Sequence, residues 1–188
     1  MSKDFLRFMR DRVSVNQLEE PAPSKDEWLE ILDAASRAAD HGGLKPWRFR
    51  IYEGEGRRKL GELYWQHAKS EVPELSEEKA ESFIKKAYRA PTILLIYAEI
   101  VDHPKVPDFE QLMSTSAAAQ QVLLGLDALG YGGIWRTGPA VFTDEAKSLL
   151  DLQVNHHVVG LLYVGTPKAI PPRVEDTGIN ERMTFIDK

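Results

Sequence analysis

The stretch Arg37-Ala-Ala-Asp-His-Gly-Gly-Leu-Lys-Pro-Trp47 is where a helical apolar pattern stops and an alternating, extended one begins. This change of period predicts a fold that mixes helices with strands. Upstream, Ser24 and Glu27 have the spacing of a capping box, and Trp28, Ile31, Leu32, Ala35 and Ala39 follow at helical intervals. The helix they predict carries Arg37 and His41 at its C-terminal end. Downstream, Trp47, Phe49 and Ile51 alternate with Arg48, Arg50 and Tyr52, the pattern of a half-buried strand. In between, Gly42 and Gly43 permit a left-handed turn or close approach to a ligand, and Pro46 biases Lys45 towards an extended conformation. Arg37, His41 and Lys45 thus bracket a turn that suits a flat anionic ligand; a plain helix C-cap with a basic last turn explains the same residues.

Working outward, residues 3–12 read as a short helix with Phe5, Phe8 and Met9 on one side, leaving Arg12 and Ser14 at its exit. Helices are expected over about 57–69 and over 76–88, the second capped by Ser76. The run Thr92 to Ala98 is continuously apolar and predicts a central strand buried on both faces. A long helix over about 109–129 carries Val122, Leu123, Leu126 and Leu129 on its core side and ends at Gly130 with Gly132-Gly133. Short strands are predicted at 134–136 and 156–164, with a short helix after Thr143. The tail, with Pro171-Pro172 and few apolar residues, cannot pack alone, and either needs a partner surface or stays mobile.

At 188 residues, 43% hydrophobic and 28% charged, the chain fits one domain over 1–188. A net charge of −5 gives no reason to expect nucleic acid or an anionic membrane as partner. The absence of cysteine excludes disulfides, thiolate metal sites and a cysteine nucleophile, and no run approaches the ~18 apolar residues of a membrane span. A cytoplasmic protein is the expectation. Gly54-Glu-Gly56 precedes a helix, but Lys59 stands where a dinucleotide fingerprint needs a small residue, so a hairpin-like turn is expected. No Walker A sequence, Gly-x-Ser-x-Gly elbow or His-Glu-x-x-His pair occurs. His156 and His157 point to opposite faces of a strand and His103 is lone, so no metal site is expected.

What remains is a set of cations and hydroxyls beside turns: Arg12 with Ser14, Arg37 with His41, and Arg136 with Thr137. Guanidinium groups offer paired donors to a phosphate, and hydroxyls add single hydrogen bonds. Trp47 and Trp135 offer planar surface nearby, although core packing is the more ordinary role.

These residues in this order, with Glu20-Pro-Ala-Pro23, Lys45-Pro-Trp47, Gly132-Gly-Ile-Trp-Arg136 and the stretch from Gly160 to Pro167, resemble the FMN-dependent nitroreductase family, in its small, minimal branch. The resemblance covers nearly the whole chain. It implies an α+β fold, a mixed, mainly antiparallel sheet wrapped by helices, built as an intertwined homodimer with exchanged C-terminal tails. It implies FMN at the interface, held by Arg12, Val13 through its backbone, Ser14, Arg37, His41 from either subunit, Trp135, Arg136 and Thr137. The implied activity is reduction of nitroaromatics, quinones or similar acceptors by NADH or NADPH, through hydride transfer to the flavin in a ping-pong cycle. The flavin carries the chemistry, so no catalytic acid or base is assigned. Two departures stand out. Asn16 replaces a basic residue that in many members faces the electron-rich edge of the flavin, and Lys45 replaces a glutamine, which restores a positive charge near the ring. The resemblance leaves open a flavin store or sensor with little turnover, and a related flavoenzyme with one specific reductive substrate.

Overall fold

The computed structural model describes residues 2–173 and 177–187. Its centre is strand β3 (Thr92–Glu99), whose first seven residues are all buried, as a strand covered on both faces requires. β3 pairs antiparallel with β2 (Trp47–Glu53) on one side and with the long β5 (His156–Pro167) on the other. The far edge of β5 is shared by β4 (Gly132–Arg136) and the two-residue β1 (Leu18–Glu19), both antiparallel to it. Every pairing among the described residues is therefore antiparallel, where a mixed sheet was expected.

Helices cover both faces. On one, α2 (Lys25–Ala35) and α5 (Asp108–Ala128) bury Trp28, Ile31, Val122 and Leu126 against Leu94, Ile96, Leu162 and Val164. Gly125 lets the two helices approach, since a Cβ there would lie 3.1 Å from the side chain of Ile31. On the other face, Leu60 and Leu63 of α3 (Arg58–Glu71) and Ala146 of α6 (Asp144–Leu149) pack on Ile93, Leu95, Leu161 and Tyr163. α1 (Ser2–Asp11) lies against α2 and α5 with Phe5 and Met9 still exposed.

The capping box is present: Ser24 Oγ accepts from the Glu27 amide and the Glu27 carboxylate accepts from the Ser24 amide at 2.8 Å. Other local expectations change. α2 stops at Ala35, because the Ser36 hydroxyl donates back to the Leu32 carbonyl and the next amides tighten to three-residue turns. Arg37 and His41 thus lie beyond the helix. Residues 76–88 form only a short α4 (Ala80–Ile84) flanked by tight turns, and the Ser76 side chain makes no cap bond. Gly54–Arg57 is one 3₁₀ turn leading into α3. No helix of the described residues is long and apolar enough to cross a membrane.

Candidate functional site

Two regions collect the candidate residues. The first forms where the chain leaving α1 lies on β4. The Val15 amide donates to the Gly133 carbonyl at 3.1 Å, and the contact is this close because Gly132 has no side chain: a Cβ there would sit 3.1 Å from Val15 Cβ and 2.9 Å from Pro167. The bond sets Val15, which follows Arg12, Val13 and Ser14, on the strand whose far end carries Trp135, Arg136 and then Thr137. Ser14 and Asn16 are exposed and Arg12 is half-buried. Burial raises the Asp127 carboxyl above its ordinary value, and the nearby charge of Arg12 opposes that rise.

Trp135 is held by β5. A bulge opposite Ile96 and Tyr97 leaves the Val159 carbonyl outside the ladder, and the indole Nε1 donates to it at 3.3 Å. The ring rests on Gly160, where a Cβ would fall 2.1 Å from Nε1. Trp47 is buried in a cluster with Ala38 and Ala118, whereas Trp135 is half-buried, packing on the α2–α5 core while also lining a cavity. Arg136 lies over the Tyr163 ring at 5.4 Å, and its Nε is buried without a hydrogen-bond partner among the described residues. An orphan donor of this kind is costly unless a ligand or solvent meets it.

The second region surrounds His41. Gly42 and Gly43 both take positive φ, 77° and 68°, as the sequence required. Lys45 differs from expectation: its φ is 49°, left-handed rather than extended. The Asp40 carboxylate accepting from the Lys45 amide at 2.7 Å, and Arg48 donating to the Lys45 carbonyl at 2.8 Å, hold it there. Strain of this sort persists where surrounding bonds over-determine it. His41 Nδ1 lies 2.5 Å from the Glu110 carboxylate, which leaves Nε2 facing outward from a side chain 59% exposed. Glu110 is fixed in turn by buried Gln111, whose amide bonds the Val101 and Val106 carbonyls. Arg37 is exposed and has no side-chain partner among the described residues.

The two regions are not one site within a chain. Asp127, near Arg12, and Glu110, bonded to His41, are seventeen residues apart on α5. At a rise of ~1.5 Å per residue that is about 25 Å.

Sequence reasoning missed three features. Arg173, in the tail, pairs with Asp11, the residue before Arg12; its place after Pro171-Pro172 was the available signal. Glu110 was unread because its partner lies 69 residues away. Lys86 and Arg89 were given no role by the sequence, yet they line a cavity with Arg136 and Thr137.

The model of the nitroreductase family matches residues 9–166. The Escherichia coli (strain K12) protein named "Putative NAD(P)H nitroreductase YdjA" is 35% identical over 166 residues, 88% of this chain and 89% of the relative. In fold, the chain is similar to a nitroreductase-like family protein from Bacillus cereus, with a TM-score of 0.83 and 23% identity, covering 97% of this chain and 96% of that one. It is also similar to an FMN-dependent nitroreductase from Clostridium difficile R20291, with a TM-score of 0.69 and 19% identity, covering 97% and 99%.

Proposed function

The chain belongs to the nitroreductase family, and from that premise we propose that it is an FMN-dependent oxidoreductase using NAD(P)H to reduce a small acceptor of the nitroaromatic or quinone type. The observation that supports this reading is the Val15–Gly133 hydrogen bond, which lays the segment after Arg12–Ser14 on the strand leading to Trp135–Thr137; in this reading the two stretches form one wall. The donors on that wall fit FMN. Arg12 and Ser14 offer charge-assisted and hydroxyl bonds to a phosphate, Arg173, now on Asp11, would add to them by exchanging that carboxylate for the phosphate, and the orphan Nε of Arg136 offers a further donor.

FMN supplies the electron relay between nucleotide and acceptor. The chain's own residues bind and orient it: Val13 through backbone, Ser14 and Thr137 through hydroxyls, the arginines through charge. Donor and acceptor take turns at the same place, a ping-pong cycle. No side chain of the wall is a required acid or base in this reading.

The 25 Å separating His41 from the wall is bridged in this reading by a second copy. Running two α5 helices antiparallel across a two-fold axis would bring the His41, Arg37 and Lys45 of one protomer to the Arg12 wall of its partner. Apolar side chains left exposed along that side, Phe5 at 57%, Met9 at 46% and Met113 at 63%, support a homodimer. So does the tail, whose Ile170, Phe185 and Ile186 are at least two-thirds exposed.

The test is the visible spectrum of the purified protein, followed by anaerobic addition of NADH and then NADPH. A bound flavin that bleaches with either nucleotide is the expected result. A colourless protein that cannot be reconstituted with FMN would overturn the reading, and a flavin that stays oxidised would leave binding without the proposed turnover.

A further inference from the structure

A cavity of 370 Å³, which shares Trp135, Arg136 and Thr137 with the proposed wall, opens between α3, the turn before β3, the end of β4 and the middle of β5. Lys86, Arg89 and Arg136 line it together with Tyr64, Tyr163 and Thr137. No carboxylate lines it, and none of the three cations has an ion-pair partner among the described residues. Lys86 and Arg136 instead lie over aromatic rings, Phe83 at 3.9 Å and Tyr163 at 5.4 Å, which orient the cations without neutralising them. Burial, and then the charge of Arg89, hold the Lys86 ammonium below its ordinary value. The Tyr64 and Tyr163 hydroxyls are 2.6 Å apart and burial raises both phenols above their ordinary value, so one donates to the other and the pair keeps one hydroxyl proton for a ligand.

Like charges gathered in a concavity without counter-charge repel one another and are relieved by an anion. We infer that this cavity receives the anionic group of the acceptor, and that the fitting class is an aromatic carboxylate. In the flavin reading the phosphate takes Arg12, Ser14 and the Arg136 donor, which leaves Lys86 and Arg89 with no anion assigned to them. The volume stands near the lower end of small-molecule pockets, roughly 300–1,000 Å³, which suits one or two rings but not a dinucleotide, and is far larger than an inorganic ion needs. Arg89 is exposed and Lys86 half-buried, where they would meet a carboxylate, while the more buried Tyr64–Tyr163 pair adds one neutral donor. The inference rests on the flavin reading for the ligand being an electron acceptor; the anion site itself does not.

Benzoate and its neutral isostere benzamide, titrated calorimetrically into the FMN-loaded, oxidised protein, test this directly. Benzoate is expected to bind at least tenfold more tightly, and 4-nitrobenzoate to exceed 4-nitrobenzamide in kcat/KM by a similar factor. Lys86→Gln and Arg89→Gln should each cut the acid-to-amide ratio severalfold, with melting temperature confirming that both variants fold. Equal binding of acid and amide would overturn the inference while leaving the flavin reading intact. Loss of FMN from both variants with benzoate binding unchanged would also overturn it, assigning the cations to the flavin. Should the protein take no FMN, the flavin reading fails alone, and the same benzoate-to-benzamide ratio on the colourless protein decides the anion site.

Discussion

The Glu110 carboxylate holds His41 Nδ1 at 2.5 Å, one end of α5 away from the Arg12 wall. A site needing both ends must be completed by a second copy. Sedimentation should give a two-chain mass for the flavin-loaded protein. Leu124→Glu, which places a charge beside Phe5 and Met9, should shift it towards one chain and weaken FMN binding at least tenfold. A single chain that still binds FMN tightly would sink this arrangement.

Arg173 reaches Asp11, the neighbour of Arg12. Hydrogen bonds to charged groups contribute ~1.5–3 kcal/mol, so Arg12→Ala and Arg173→Ala should each lower FMN affinity about tenfold or more. Riboflavin, which lacks the phosphate, should bind both variants and the parent alike. The measurement is flavin fluorescence quenching, and equal losses for riboflavin and FMN would remove the phosphate from these residues.

Gly160 is where the indole of Trp135 rests. Gly160→Ala would force the ring away and break its bond to the Val159 carbonyl, at the ~1–3 kcal/mol typical of overpacking. Urea unfolding should show the loss and tryptophan fluorescence should shift red. Because Trp135 and Arg136 are adjacent, weaker flavin binding should accompany both; an unshifted spectrum with full stability would show that the strand absorbs the methyl group.

Ser24 lowers the Glu27 carboxyl below its ordinary value of 4.5, through its side chain first and its backbone second. A depressed carboxyl contributes stability that is complete above the unfolded value and is lost as pH falls through the folded one. Ser24→Ala should cost about 1 kcal/mol at neutral pH. The gap between parent and variant should narrow below pH 4.5, as followed by urea midpoints; a gap independent of pH would exclude the carboxylate from the cap.

Much of this protein is set by the sequence alone. The apolar run from Thr92 had to be a strand covered on both faces, since no other element buries seven successive side chains. The Ser24–Glu27 pair fixed where α2 starts, and the two glycines after His41 admitted the left-handed turn they adopt. These are local matters, decided by periodicity and backbone freedom within a few residues. Arg12, Ser14, Arg136 and Thr137 could be named as a group from their types and order, but not joined. Only the tertiary structure decided that Gly132 lets Val15 lie on β4, that Arg173 returns to Asp11, and that Lys86 and Arg89 face the same cavity as Arg136. It also overruled the local preference of Lys45 before proline, because bonds from Asp40 and Arg48 outweigh it. Such contacts depend on how the sheet brings distant segments side by side, and no spacing in the chain encodes them.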